Sequence, residues 1–130
     1  MIALDTNALV RLLIADDAAQ TASVRKLAES QRVLILRTVI LETEWLLRGR
    51  FGLERARILE FFQGLANTEN FVLEDEPSLR RALNWYGKGL DFADALHLVS
   101  AGETPLHTFD ERFAKRAGKL DAPVHLIKTG

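Results

Sequence analysis

Val33-Leu34-Ile35-Leu36 is an unbroken apolar run. A strand with one wet face alternates polar and apolar residues, whereas a strand covered on both faces, as in a parallel sheet, does not. This run therefore reads as a buried parallel strand. Helical patterns stand on both sides of it. Before it, Ala18 to Glu29 carries Ala18, Ala22, Val24 and Leu27 at helical spacing; after it, Thr38 can cap a helix reaching about Arg50. Further towards the N-terminus, Ile2-Ala3-Leu4 is a short apolar run ended by Asp5-Thr6-Asn7, and Leu9, Val10, Leu12, Leu13 and Ile14 then mark a packed helix.

The same alternation continues towards the C-terminus. Past Phe51-Gly52, a helix is expected from Leu53 to Leu65, with Ile58, Leu59, Phe61 and Phe62 on its apolar side, and Phe71-Val72-Leu73 reads as a third strand. Residues 76–87 form a helix ending near Gly87-Lys88-Gly89, and Asp91 opens another with Ala95, Leu96, Leu98 and Val99 inward. Pro105 to Phe109 is a short strand leading into Asp110, a helix follows from Glu111 to about Ala117, and Val124 to Ile127 is a last strand. Strands alternating with helices predict an α/β fold: a three-layer α/β/α sandwich with a mostly parallel central sheet. No repeat, linker or low-complexity segment interrupts it, so a single domain over 1–130 is expected.

Composition agrees. The 130 residues are 48% hydrophobic and 27% charged, a balance that builds a core without crosslinks. Cysteine is absent, which excludes disulfide scaffolds, thiol catalysis and cysteine-rich zinc sites and allows a reducing compartment. The start Met-Ile-Ala-Leu-Asp does not read as a signal peptide and no apolar stretch is long enough for a bilayer, so the cytoplasm is expected, without a membrane partner. A net charge of −1 decides little about nucleic acid, because a carboxylate-rich site can have a basic rim.

The carboxylates carry the chemistry. Ligands of open parallel sheets bind beyond the carboxyl ends of the strands, where Asp5 and Asp110 stand. Each also has a local explanation as the cap of the helix that follows. Glu42 has Thr38, Val39, Trp45 and Leu46 as its helical neighbours, a mostly apolar face on which a carboxylate needs a partner. Glu44 has Arg48 four residues on and reads as half of a solvated ion pair. Asp91 and Asp94 share one face at a helix start, where capping explains both. Capping does not explain why this topology can bring strand ends, a helix interior and a helix start together. Four or five unpaired carboxylates repel and push one another towards protonation, and a divalent cation relieves this. All-oxygen ligation favours Mg²⁺ or Mn²⁺, one ion or two, which points to phosphodiester chemistry.

At four places the sequence resembles the PIN-domain family, and within it the VapC-type toxins of toxin–antitoxin pairs: Leu4-Asp5-Thr6-Asn7, Leu41-Glu42-Thr43-Glu44-Trp45-Leu46-Leu47, Asp91-Phe92-Ala93-Asp94-Ala95-Leu96-His97 and Thr108-Phe109-Asp110-Glu111-Arg112-Phe113. The resemblance spans essentially the whole chain. It implies a metal-dependent endoribonuclease in which Asp5, Glu42, Asp94 and Asp110 are catalytic and hold the metal, with Asp91 an additional acid. Thr6, Asn7 and Thr108 match positions that orient the carboxylates. It further implies RNA substrates, transfer RNA among them, a homodimer, and a cognate antitoxin that occupies the groove. An inhibitor of so acidic a groove is expected to insert an arginine, which competes with the cation.

Other residues have weaker claims. Arg11, Arg48 and Arg112, with Arg50 and Lys88, are candidate phosphate contacts, with solvated surface as the alternative. His97 reads as a polar rim or packing residue, and His107 and His125 as satisfied strand histidines. Trp45 and Trp85 are both candidates for stacking on RNA bases, but Trp45, among leucines, reads rather as core or dimer interface, with Leu47 and Phe51 at the same interface; Trp85 is open between packing and base stacking. Two rival functions remain: an aspartate-based phosphotransfer enzyme, which predicts an acid where Asn7 stands, and a catalytically silent PIN-like module that binds RNA or protein, which predicts a lost acid.

Overall fold

The middle strand is β2, Val33–Ile35, with Val33 and Ile35 fully buried and Leu34 half-buried. The computed structural model describes residues 1–130 as two compact units, Met1–Glu76 and Pro77–Gly130. In the first unit, β2 pairs in parallel with β1 (Ile2–Ala3) on one side and β3 (Phe71–Leu73) on the other, in the order β1-β2-β3. The register places Val33 opposite Ile2 and Phe71. Helices α1 (Thr6–Ile14), α2 (Ala18–Ser30), α3 (Arg37–Gly49) and α4 (Arg55–Ala66) make the connections. Helix α1 packs on α2 and α3, and α4 on α3 and β3. Leu9, Ile35, Ile40, Leu47, Ile58 and Phe62 form the fully buried centre of this unit.

In the second unit, β4 (Leu106–Thr108) and β5 (Val124–Leu126) form a parallel ladder of their own, with α7 (Glu111–Lys119) packed on both strands. Helices α5 (Glu76–Gly87) and α6 (Phe92–Ala101) precede it. Leu79, Leu83, Tyr86, Leu90, Phe92 and Leu98 are buried here, and the Tyr86 and Phe92 rings meet edge to face at 5.3 Å. The fold is thus mixed α/β with helix-flanked strands, and every observed strand pair is parallel. No helix is long and apolar enough to cross a membrane.

Several local expectations are corrected. Helix α3 begins at Arg37, and Thr38 does not cap it; the residue before it, Leu36, has no capping side chain. The first free amide is satisfied from a distance instead, since Arg37 N–H donates to Glu74 Oε1 at 2.8 Å. A carboxylate just past the end of β3 thus does the work of a local cap. On α2 the buried residues are Thr21 and Ala28, while Ala18, Ala22 and Leu27 are exposed. After α3, Gly52 takes a positive φ of 65° as the chain reverses, and Leu53 N–H returns to the Leu47 carbonyl at 2.9 Å.

Helix α3 holds the largest correction. Its buried stripe is Val39, Ile40, Thr43, Glu44 and Leu47, so Glu44 is the inner glutamate and Glu42 is exposed. Leu47 is fully buried and is therefore unavailable to a dimer interface, and Trp45 is 63% exposed, which removes it from the core. Arg48 Nε donates to Glu44 Oε2 at 2.9 Å, and its second nitrogen reaches Oε1 at 3.4 Å. The pair is present but not solvated on both sides: Glu44 is 2% exposed. Arg48 is thereby engaged in holding a buried charge rather than waiting for phosphate. Arg48→Ala should cost about 1–3 kcal/mol in urea unfolding, below the range for fully buried pairs because half of the arginine is wet. Adding Glu44→Leu should recover part of that loss, since it removes the stranded charge.

Candidate functional site

Asp5 follows β1 and is the N-cap of α1: its backbone is extended and Oδ1 accepts from Ala8 N–H at 2.9 Å. Capping uses one oxygen and fixes the side chain's direction, while Oδ2 stays available. The capping and ligand readings of this residue are therefore compatible. Thr6, buried at the first position of α1, donates its hydroxyl to Glu42 Oε1 across 36 residues of sequence. This bond ties the exposed Glu42 carboxylate of α3 to the start of α1. Asp5, Thr6, Asn7 and Glu42 line one cavity of about 530 Å³, with Arg11, Leu46, Arg50 and Phe51 among its other walls. Arg11 is engaged at the rim, its guanidinium donating to Asp16 at 2.8 Å.

The second unit gathers its own acids. Asp91 caps α6 by accepting from Asp94 N–H at 3.2 Å, and Asp110 caps α7 by accepting from Phe113 N–H at 3.0 Å. The Thr108 hydroxyl accepts from the Asp110 backbone N–H at 3.0 Å, so it orients Asp110 through the main chain rather than through the carboxylate. Asp91, Asp94 and Asp110 line a cavity of about 420 Å³ together with Arg112 and Arg116, and Arg116 donates to the Gly89 carbonyl at 3.0 Å. Asp5 and Asp110 each stand past the carboxyl end of a parallel strand. Those strands belong to separate ladders, so strand pairing does not bring the two acids together.

Asp94 is the acid whose ionisation is displaced. Partial burial, then the charges of Asp91 and Asp110, push its carboxyl above the usual aspartate value, and His97 pulls the other way. A raised folded-state pKa favours the fold fully below the unfolded value, and that contribution is lost as pH rises through the folded value. At neutral pH the ionised Asp94 therefore weakens the metal-free protein. Asp94→Asn should raise Tm in chelator at pH 7, with the difference closing as pH falls towards the ordinary aspartate value. Differential scanning fluorimetry at both pH values reads this; a lower Tm for the variant at pH 7 would contradict it.

The donor chemistry suits a hard cation such as Mg²⁺ or Mn²⁺: carboxylate oxygens, several with one oxygen uncommitted, and no sulfur. No group of three or more histidine, aspartate or glutamate side chains that could hold a metal ion is formed. Mg²⁺ keeps several waters and takes one or two protein carboxylates plus substrate phosphate, a demand smaller than a closed cage.

One feature was not read from sequence. His107 and His125 are exposed, not packed within the sheet, and face each other in register across β4 and β5 with rings stacked at 5.1 Å. Arg50, expected among the phosphate contacts, and Phe51, expected at a dimer interface, both line the cavity of Asp5 and Glu42. Trp85 is half-buried, with the Arg81 guanidinium 5.6 Å from its ring centre.

Residues 2–119 match the PIN domain. The chain belongs to the PIN-domain family. The match runs through both compact units and includes Asp5, Glu42, Asp91, Asp94 and Asp110. Membership supports a nuclease-related function for this PIN domain. Neither a curated protein nor a solved structure matched the chain.

Proposed function

We propose that the chain is a Mg²⁺- or Mn²⁺-dependent endoribonuclease whose working carboxylates are Asp5 and Glu42 of the first unit and Asp94 and Asp110 of the second. The observation that carries the reading is the gathering of Asp91, Asp94 and Asp110 on one cavity, with Asp94 partly buried between the other two charges. A partly buried carboxylate held beside two others is costly without a cation, and a PIN domain gives that cost a use. When bound, a divalent cation supplies charge neutralisation at the phosphate and a more acidic water. The chain's own residues prepare for it. Asp5 and Asp110 are held by their helix starts, Glu42 by the Thr6 hydroxyl, and Asp94 by its place in the first turn of α6. Arg112, on the cavity of Asp91, Asp94 and Asp110, is suited to a phosphate oxygen.

Within this reading the protein is the toxin of a toxin–antitoxin pair. The four acidic motifs in their order support that finer assignment, as they support a homodimer and an antitoxin that neutralises the acids with an arginine. The deciding experiment is cleavage of RNA by the purified chain in Mg²⁺ or Mn²⁺, its loss in chelator and its recovery on adding the metal back. Cleavage that persists unchanged in excess chelator would refute the metal-dependent mechanism, and no cleavage with any divalent ion would favour the silent binding module.

A further inference from the structure

His107 is the middle residue of β4 and His125 the middle residue of β5, and the parallel register sets them directly opposite each other. Side chains alternate between the faces of a strand, so both imidazoles leave the ladder on one face while Leu106, Thr108, Val124 and Leu126 take the other. Both histidines are exposed, and their ring centres lie 5.1 Å apart with the planes inclined by 30°. Neither imidazole is hydrogen-bonded to another group of the protein, so the ring nitrogens are free to take a ligand. The backbone beneath them is fixed on both sides of the pair. Leu106 N–H donates to the Pro123 carbonyl at 3.3 Å, and Ile127 N–H donates to the Thr108 carbonyl at 2.7 Å.

We propose that His107 and His125 chelate one late first-row divalent cation, Cu²⁺ or Ni²⁺, on the open face of β4 and β5, with water completing its coordination. Imidazole suits these ions, and Cu²⁺ stands highest in the order of affinity for a given nitrogen site. Once one ring holds the ion, the other is already beside it, and turning the exposed rings about their side-chain bonds lets a nitrogen of each meet it. Zinc fits less well, because its structural sites take four protein ligands and no third histidine or carboxylate joins the pair. Mg²⁺ and Mn²⁺ prefer oxygen donors and are poorly served here. Neither histidine lines the cavity of Asp91, Asp94 and Asp110, so the site is separate from the carboxylates and does not depend on the nuclease reading. Since β5 pairs with β4 alone, a bridging cation adds a crosslink to a ladder of two strands.

Two measurements on the full, untagged chain test it, both at neutral pH with excess Mg²⁺ to occupy carboxylates. In amide NMR, substoichiometric Cu²⁺ should broaden the resonances of residues 106–108 and 124–126 first. In calorimetry, Ni²⁺ should bind at one strong site whose affinity falls at least about tenfold in His107→Asn and to the same extent in His125→Asn, because each variant abolishes the chelate. Ni²⁺ should also raise the Tm of the wild type more than that of either variant. Broadening centred on Met1 or on the acidic cavity overturns the site. A loss of affinity in one variant alone makes a single histidine the ligand and overturns it too. So does a stoichiometry of two ions that either variant reduces to one, since the imidazoles would then bind independently.

Discussion

Asp94→Asn is expected to reduce metal-dependent RNA cleavage by at least about a hundredfold in a protein that remains folded. Groups that merely support a metal ligand are worth about 10- to 100-fold, so a carboxylate in direct contact should be worth more. The amide preserves the shape and the first turn of α6 but removes the charge. The same substitution is expected to stabilise the metal-free protein, because the ionised carboxyl is disfavoured by burial and by Asp91 and Asp110. Activity and stability should therefore move in opposite directions, which excludes unfolding as the cause of the loss. Added Mg²⁺ should raise the Tm of the wild type and do less for the variant.

Asp5→Asn makes the companion case. Asparagine caps a helix as well as aspartate does, so the Ala8 contact and the start of α1 should survive while the charge is lost. If Asp5 only caps, cleavage should be unchanged; if it serves the reaction, cleavage should fall to the level of the Asp94 variant. The double variant then reports on coupling. Groups that serve one step as a unit lose little more together than the worse of them loses alone, whereas multiplied losses would indicate separate contributions.

Phe92→Ala should destabilise the protein by about 3–5 kcal/mol. Phe92 is the first residue of α6, is fully buried, and meets Tyr86 edge to face with ring planes at 79°. Truncation removes apolar area and leaves a cavity under the helix start that carries Asp91 and Asp94. Urea unfolding measures the loss, and Phe92→Leu should lose considerably less because it fills most of the space. A change in the alanine variant below about 1 kcal/mol would mean that the site collapses freely around the gap. Residual cleavage per folded molecule would then show how firmly the ring sets the direction of α6.

The capping aspartates were legible because aspartate's preference for a helix start has a local signature. Asp5, Asp91 and Asp110 each accept from the backbone N–H three residues on, a contact written into neighbouring residues. The choice between the two glutamates of α3 was not legible in the same way. Both a stripe through Glu42, Trp45 and Leu46 and one through Ile40, Glu44 and Leu47 obey the helical period, and the apolar character of Trp45 favours the outer one. The structure buries Glu44 because its long neighbour Arg48 reaches the carboxylate, a compensation that hydrophobic patterning does not register.

The sequence by itself determined the alternation of strands and helices, the buried character of Val33 and Ile35, and the aspartate-capped starts of α1, α6 and α7, since each depends on residues within a turn or two of one another. Tertiary structure decided the rest. It put Glu74 on the first amide of α3 from 37 residues away, the Thr6 hydroxyl on Glu42 from 36 residues away, and the His107 ring on His125 across two strands. Such contacts join groups whose partners are chosen by how whole elements pack. The spacing of residues along the chain carries the period of an element but not the identity of what will lie against it.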